Sequence, residues 1–127
     1  MKRYDVLFIA AALACLLMGE SLGIWMGVNE DFTLSPAHAH LNLVGWATLA
    51  AYGLIHRAYP VLATSRLAAA QCVLAVIGAL VLPFGIGYAI LMHNPIFAIV
   101  GSFAVLIATL LFATLFLQRA ARAPAAA

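Results

Sequence analysis

Four long apolar runs separated by short polar breaks set the pattern of this chain: residues 6–28, 40–55, 67–91 and 96–117. The second reaches spanning length once 36–59 is counted as helix. A bilayer crossing needs roughly 20 mostly apolar residues at about 1.5 Å each. The pattern therefore predicts an all-α integral membrane protein with four transmembrane helices.

The breaks and interruptions refine that outline. Ser35 as N-cap and Pro36 at the first helical position read as a helix entry, which puts His38 and His40 in the first turn of the second span. In the third run, Pro83-Phe84-Gly85-Ile86-Gly87 predicts a kink, and Met92-His93-Asn94-Pro95 a tight turn. The fourth run has only Ser102, Thr109 and Thr114 as polar members and reads as a lipid-facing wall. On the first run, Gly19-x3-Gly23-x3-Gly27 is a small-residue stripe suited to close helix packing. Glu20 stands beside that stripe, where a bare carboxylate in hydrocarbon is costly. It is expected against a polar cavity or a bound group rather than against lipid.

Composition agrees: 67% of the 127 residues are hydrophobic and 8% charged, too few for the surface of a soluble globule. One transmembrane domain, 1–119, precedes a short flexible cytoplasmic tail, 120–127, with Pro124 among alanines. Met1-Lys2-Arg3 before an apolar run raises a signal peptide, with Ala37-His38-Ala39 as a small-x-small site. The run exceeds a signal core of about 7 to 15 residues, so the segment is expected to stay.

The six basic residues sort to one side. Lys2 and Arg3 precede the first run, Arg57 and Arg66 lie in the second connection, and Arg119 and Arg122 follow the fourth run. The positive-inside rule then puts both termini inside, N-in and C-in, in a bacterial inner (cytoplasmic) membrane. Tyr4 and Tyr59 fit an inner aromatic belt and Trp25 and Phe97 an outer one. The outer connections carry Glu30 and Asp31, read as a solvated turn, together with His38, His40 and His93. Cys15 and Cys72 lie inside spans without CxxC spacing and read as small core residues.

Chemistry concentrates in the outer histidines. His38 and His40 are two positions apart, roughly 200° around a helix, so they point to opposite faces and cannot chelate one ion from one helix. The His38 face continues through Asn42, Gly45, Leu49, Tyr52 and His56; the His40 face runs through Leu43, Val44, Ala47, Ala51 and Leu54. Small residues at Gly45, Ala47, Ala51 and Gly53 leave space for a close helix or a flat prosthetic group. His56 reads as an interfacial, snorkelling side chain. Three histidines on one side, with Glu20 nearby, point to coordination, since imidazole serves haem, copper and zinc. No phosphate loop, basic recognition patch or hydrolase set is present, which excludes nucleotide and nucleic-acid chemistry.

His38-Ala39-His40-Leu41-Asn42-Leu43-Val44-Gly45-Trp46-Ala47-Thr48-Leu49, continuing to Tyr52-Gly53-Leu54-Ile55, resembles short membrane proteins related to subunit I of haem-copper oxidases and nitric oxide reductases. The resemblance implies an arc of transmembrane helices binding haem b through histidines near the outer face, with the His-x-His pair serving haems on its two sides. It carries His38 and His40 over as axial ligands, with His93 as third candidate and Asn42, Gly45, Trp46 and Glu20 around the cofactor. The chain departs from the family in lacking the further histidines and tyrosine of the copper centre. The large subunit also has three times as many spans. An arginine partner for haem propionates is absent from the outer side.

The sequence therefore predicts a membrane b-type haem protein for electron transfer or for diatomic gas or redox sensing, without the haem-copper catalytic set. A copper or zinc protein using the same histidines, and a non-catalytic helper subunit, are the alternatives. Opposed histidines predict sharing of each haem between chains, in a homotrimer embedded in lipid, with a quinone or redox protein as possible electron partner.

Overall fold

The computed structural model describes residues 2–120, which are helical apart from the N-terminal residues 2–3 and the short connections between helices, with no strand among them. The tail expected beyond 119 lies outside the described residues from 121 onward. Helix α1 (Tyr4–Asn29) runs from the basic N-terminus and stops at Glu30, whose left-handed φ of 53° lets the next N–H, of Asp31, reach back to the Met26 carbonyl at 3.1 Å. A short turn leads to α2 (Ser35–His40), a π-helical segment (Leu41–Thr48) and α3 (Leu49–Ala58), which abut without a break as one rod. A 3₁₀ turn (Pro60–Thr64) reaches α4 (Arg66–Met92), where the Ser65 hydroxyl caps the Leu67 N–H. His93, at φ 55°, ends α4, and α5 (Ile96–Leu115) returns toward the start, closing in a π turn (Phe116–Ala120).

Three helices are long and apolar enough to cross a membrane: Tyr4–Asn29, Arg66–Met92 and Ile96–Arg119. Up-and-down connections gather Lys2, Arg3, Arg57, Arg66 and Arg119 at one end of the bundle, here called the basic end. His38, His40 and His93 lie toward the other, the histidine end.

Glycine sets how closely the helices approach. A Cβ on Gly85 would run into the backbone of Phe97 and Ala98, and one on Gly101 would stand 2.6 Å from the Leu82 backbone. The two helices thus meet backbone to backbone along α4 and α5, the most extensive contact in the fold. Pro83 lies inside α4, which continues through it. Proline lacks the N–H that would serve the Ala79 carbonyl. That carbonyl faces Gly45 of the preceding rod, 3.9 Å from where a Gly45 Cβ would stand.

Gly85→Leu is expected to loosen the α4–α5 contact and lower stability by about 1–3 kcal/mol or more, the usual cost of overpacking. Gly27→Ala, whose Cβ would meet nothing within 4 Å, should leave thermal unfolding in detergent unchanged or slightly raised. Equal melting temperatures for the two variants would refute the close-approach account.

Candidate functional site: a histidine end and a buried histidine

The rod from Ser35 to Ala58 carries polar chemistry at both ends. At the histidine end, His38 turns toward α1. Its Nδ1–H donates to the Gly19 carbonyl at 2.8 Å, and its ring packs over Gly23, where a Cβ would come within 2.8 Å of Cε1. Here the small-residue stripe of α1 admits a polar ring rather than an apolar ridge. Asn42 donates to the His38 carbonyl at 3.0 Å and its side chain fills the space over Gly19. His40 points elsewhere: its Nδ1–H donates to Pro36 of its own helix at 2.8 Å, and its ring is half-exposed.

A carbonyl can only accept, so Nδ1 carries a proton in both imidazoles, and in a neutral ring the lone pair is then on Nε2. Metal-binding histidines are commonly oriented in this way, the far ring nitrogen held by a backbone acceptor. The donor set therefore fits an axial ligand best at His40, whose Nε2 has no hydrogen-bond partner among the described residues. At His38 the fit is narrower, because Asn42 Nδ2 approaches Nε2 at 3.5 Å and α1 covers one ring face. The π segment begins directly after His40, and Thr48 returns its hydroxyl to Leu43, five residues back. Such unwound turns recur at functional sites. An apolar groove of about 400 Å³ opens beside it over Leu41, between Leu17 and Met18 of α1 and Phe84 of α4.

No family model, curated protein or solved structure matches this chain.

Several expected neighbours are placed differently. His93 is exposed at the α4–α5 turn, and among the described residues no group of three His, Cys, Asp or Glu side chains could hold a metal ion. A chelate built by one chain from His38, His40 and His93 or Glu20 therefore does not form. Gly45 offers no slot for a flat group on its buried side: the Cys15 Cβ and Sγ stand 2.6 and 2.9 Å from where its Cβ would be. Trp46 is half-buried at the edge of the core. Glu20 is exposed, on a face of α1 with Leu13, Leu17 and Ile24, and not against a cavity of its own chain. The direction of Gly19 and Gly23 toward the rod leaves position 20 turned outward.

The largest departure is His56. Expected at the interface, it is buried at 4% exposure, with neither ring nitrogen hydrogen-bonded. Phe8, Tyr4 and Phe112 box it in at centroid distances of 5.4, 5.9 and 6.2 Å. Tyr4, assigned to an aromatic belt, is buried in this box instead. Gln71 of α4, fully buried and also unpaired, lies beside the ring. One signal in the sequence does mark the box: Tyr4/Phe8, Tyr52/His56 and Phe112/Phe116 are i, i+4 ring pairs on three segments at the same end.

His56→Phe removes two unpaired buried nitrogens, each costing about 1–3 kcal/mol in such a setting, and is expected to match or exceed the parent in thermal stability. His56→Ala opens a hole in the box and should destabilise by about 2–4 kcal/mol. The reverse order of melting temperatures would reject the burial described.

Proposed function

We propose that the chain is an integral membrane haem b protein in which His38 and His40 supply axial imidazoles, for electron transfer or for sensing a diatomic gas or redox state. The observation that carries this reading is the pair of Nδ1–H bonds, each 2.8 Å to a backbone carbonyl, which turn Nε2 away from the backbone, unpartnered among the described residues at His40 and met only by Asn42 Nδ2 at 3.5 Å at His38. A haem held by two imidazoles supplies a one-electron couple with no position open to substrate. The resemblance of the His38 to Ile55 stretch to subunit I of haem-copper oxidases and nitric oxide reductases points the same way, as does the apolar groove over Leu41.

In this reading the rod from Ser35 to Ala58, second in chain order, also spans and brings the number of spans to four, and the basic end faces the cytoplasm of a bacterial inner membrane. His38 and His40 turn to different sides, so the two ligands of one haem come from two chains. Head-to-tail contacts that close by rotation give a ring, and a trimer reproduces the span count of the large subunit. The outward Glu20 supports an interface on α1, because a carboxylate facing hydrocarbon is costly and a neighbouring copy would cover it. A quinone or redox protein is the electron partner in this scheme.

A second reading is favoured by the packing of His38 over Gly23: the ring is a clamp between α1 and the rod in a haem-free helper subunit.

Absorption spectra of the purified protein separate the two. The haem reading expects a sharp Soret band with split visible bands on dithionite reduction, lost or converted in His40→Ala and His38→Ala and kept in His56→Phe. A colourless protein whose His38→Ala variant loses only stability supports the clamp. Native mass spectrometry should show a trimer with three haems that loses haem on dissociation, and a haem-loaded monomer would exclude ligand sharing. Single cysteines at 28–35 should react with an impermeant reagent from outside and those at 60–65 only from inside; the opposite pattern would overturn the orientation.

A further inference from the structure

We infer that the basic end of the bundle holds a binding site for a phosphate group, with His56 at its floor, independent of any haem at the opposite end. A pocket of about 250 Å³ opens there, lined by Lys2, Arg3, Tyr4, Asp5, His56 and Arg57 among others. That is just below the range of about 300–1,000 Å³ for drug-sized ligands, which suits a headgroup or a small anion.

Three features of the pocket converge on an anion. Its rim holds three cations to one carboxylate. Asp5 takes Arg3 at 3.0 Å and Arg57 at 3.6 Å, which draws both guanidiniums to the mouth while their side chains stay largely exposed. The first-turn amides of α1 begin at this rim, where the N-cap Arg3 offers no side-chain acceptor and the one first-turn carboxylate, Asp5, is shared between the helix end and the two guanidiniums. The floor is the decisive element. A neutral imidazole has one donor and one acceptor nitrogen, and in His56 both are unpaired. With the Gln71 amide beside the ring, one nitrogen can accept from that amide while the other donates to a phosphate oxygen. A bound phosphate group thus satisfies a polar side chain that is otherwise buried at a cost.

The phosphate can belong to an acidic phospholipid in the adjoining leaflet or to a free anion. Full-length protein carrying ¹⁵N-labelled histidine rings, in neutral detergent, is titrated with short-chain phosphatidylglycerol, short-chain phosphatidylcholine and inorganic phosphate. The His56 resonance, assigned by its absence in His56→Phe, should move with phosphatidylglycerol at a Kd at least tenfold below that for phosphatidylcholine. Arg57→Ala, on an exposed side chain, should weaken that binding at least tenfold, and the melting-temperature gain given by phosphatidylglycerol should vanish in His56→Phe. Saturation by inorganic phosphate as well assigns the site to a free phosphate group, and its failure beside phosphatidylglycerol assigns a lipid headgroup. No movement of His56 with either phosphatidylglycerol or inorganic phosphate overturns the site, and so does undiminished binding in Arg57→Ala.

Discussion

Close approach of helix backbones is the constraint on which everything else in this bundle rests. Helices as apolar as these gain little from hiding one oily surface against another when the surroundings are themselves oily, so their association depends on how near the backbones come. Gly78, Gly85 and Gly101 bring α4 and α5 together, and Gly45 and Gly53 seat the rod against Cys15 and Ile9 of α1. Each is a place where a methyl group would already be too much. The consequence reaches the histidine end, because the Gly19 carbonyl is accessible to His38 only where α1 presents no side chain.

The two ends of the bundle use polar groups in opposite ways. At the histidine end each ring is anchored to the backbone through Nδ1 while remaining partly exposed. At the basic end the single imidazole is buried among aromatic rings and anchored by neither nitrogen. Tyr52, one turn before His56 on the rod, handles polarity differently: its ring lies tilted against Phe112 at 4.4 Å and its hydroxyl meets Thr109 at 3.0 Å. It thereby shows how a polar atom is accommodated in this interior when a partner stands across the helix interface.

Hydropathy made the helices legible almost to their ends. The run 6–28 is α1 at Tyr4–Asn29, and 67–91 is α4 at Arg66–Met92. The divergence of His38 and His40 was legible too, since it follows from two residues of helical turn. The π segment was not, because the apolar period expected of a membrane helix tolerates a local change of winding without altering which residues are apolar. His56 was misjudged for a related reason: its nearness to Arg57 and Pro60 suggested an interface, whereas Phe8, Tyr4 and Phe112 come from other helices and bury it. Glu20 was read from its own costs alone. Its direction was fixed by Gly19 and Gly23, which claim the inward face of α1.

The π segment between His40 and Leu49 gives the rod a property that an α-helix lacks. Eight residues wound more loosely than their neighbours separate the histidine end from His56. Loss of one residue from that stretch, with the winding otherwise kept, would turn α2 by about 100° relative to α3. His38 would then swing off Gly19 while the aromatic box stayed intact. Chain length between 41 and 48 thus acts as an angular setting, coupling a single insertion or deletion in the gene to the direction in which the imidazoles face.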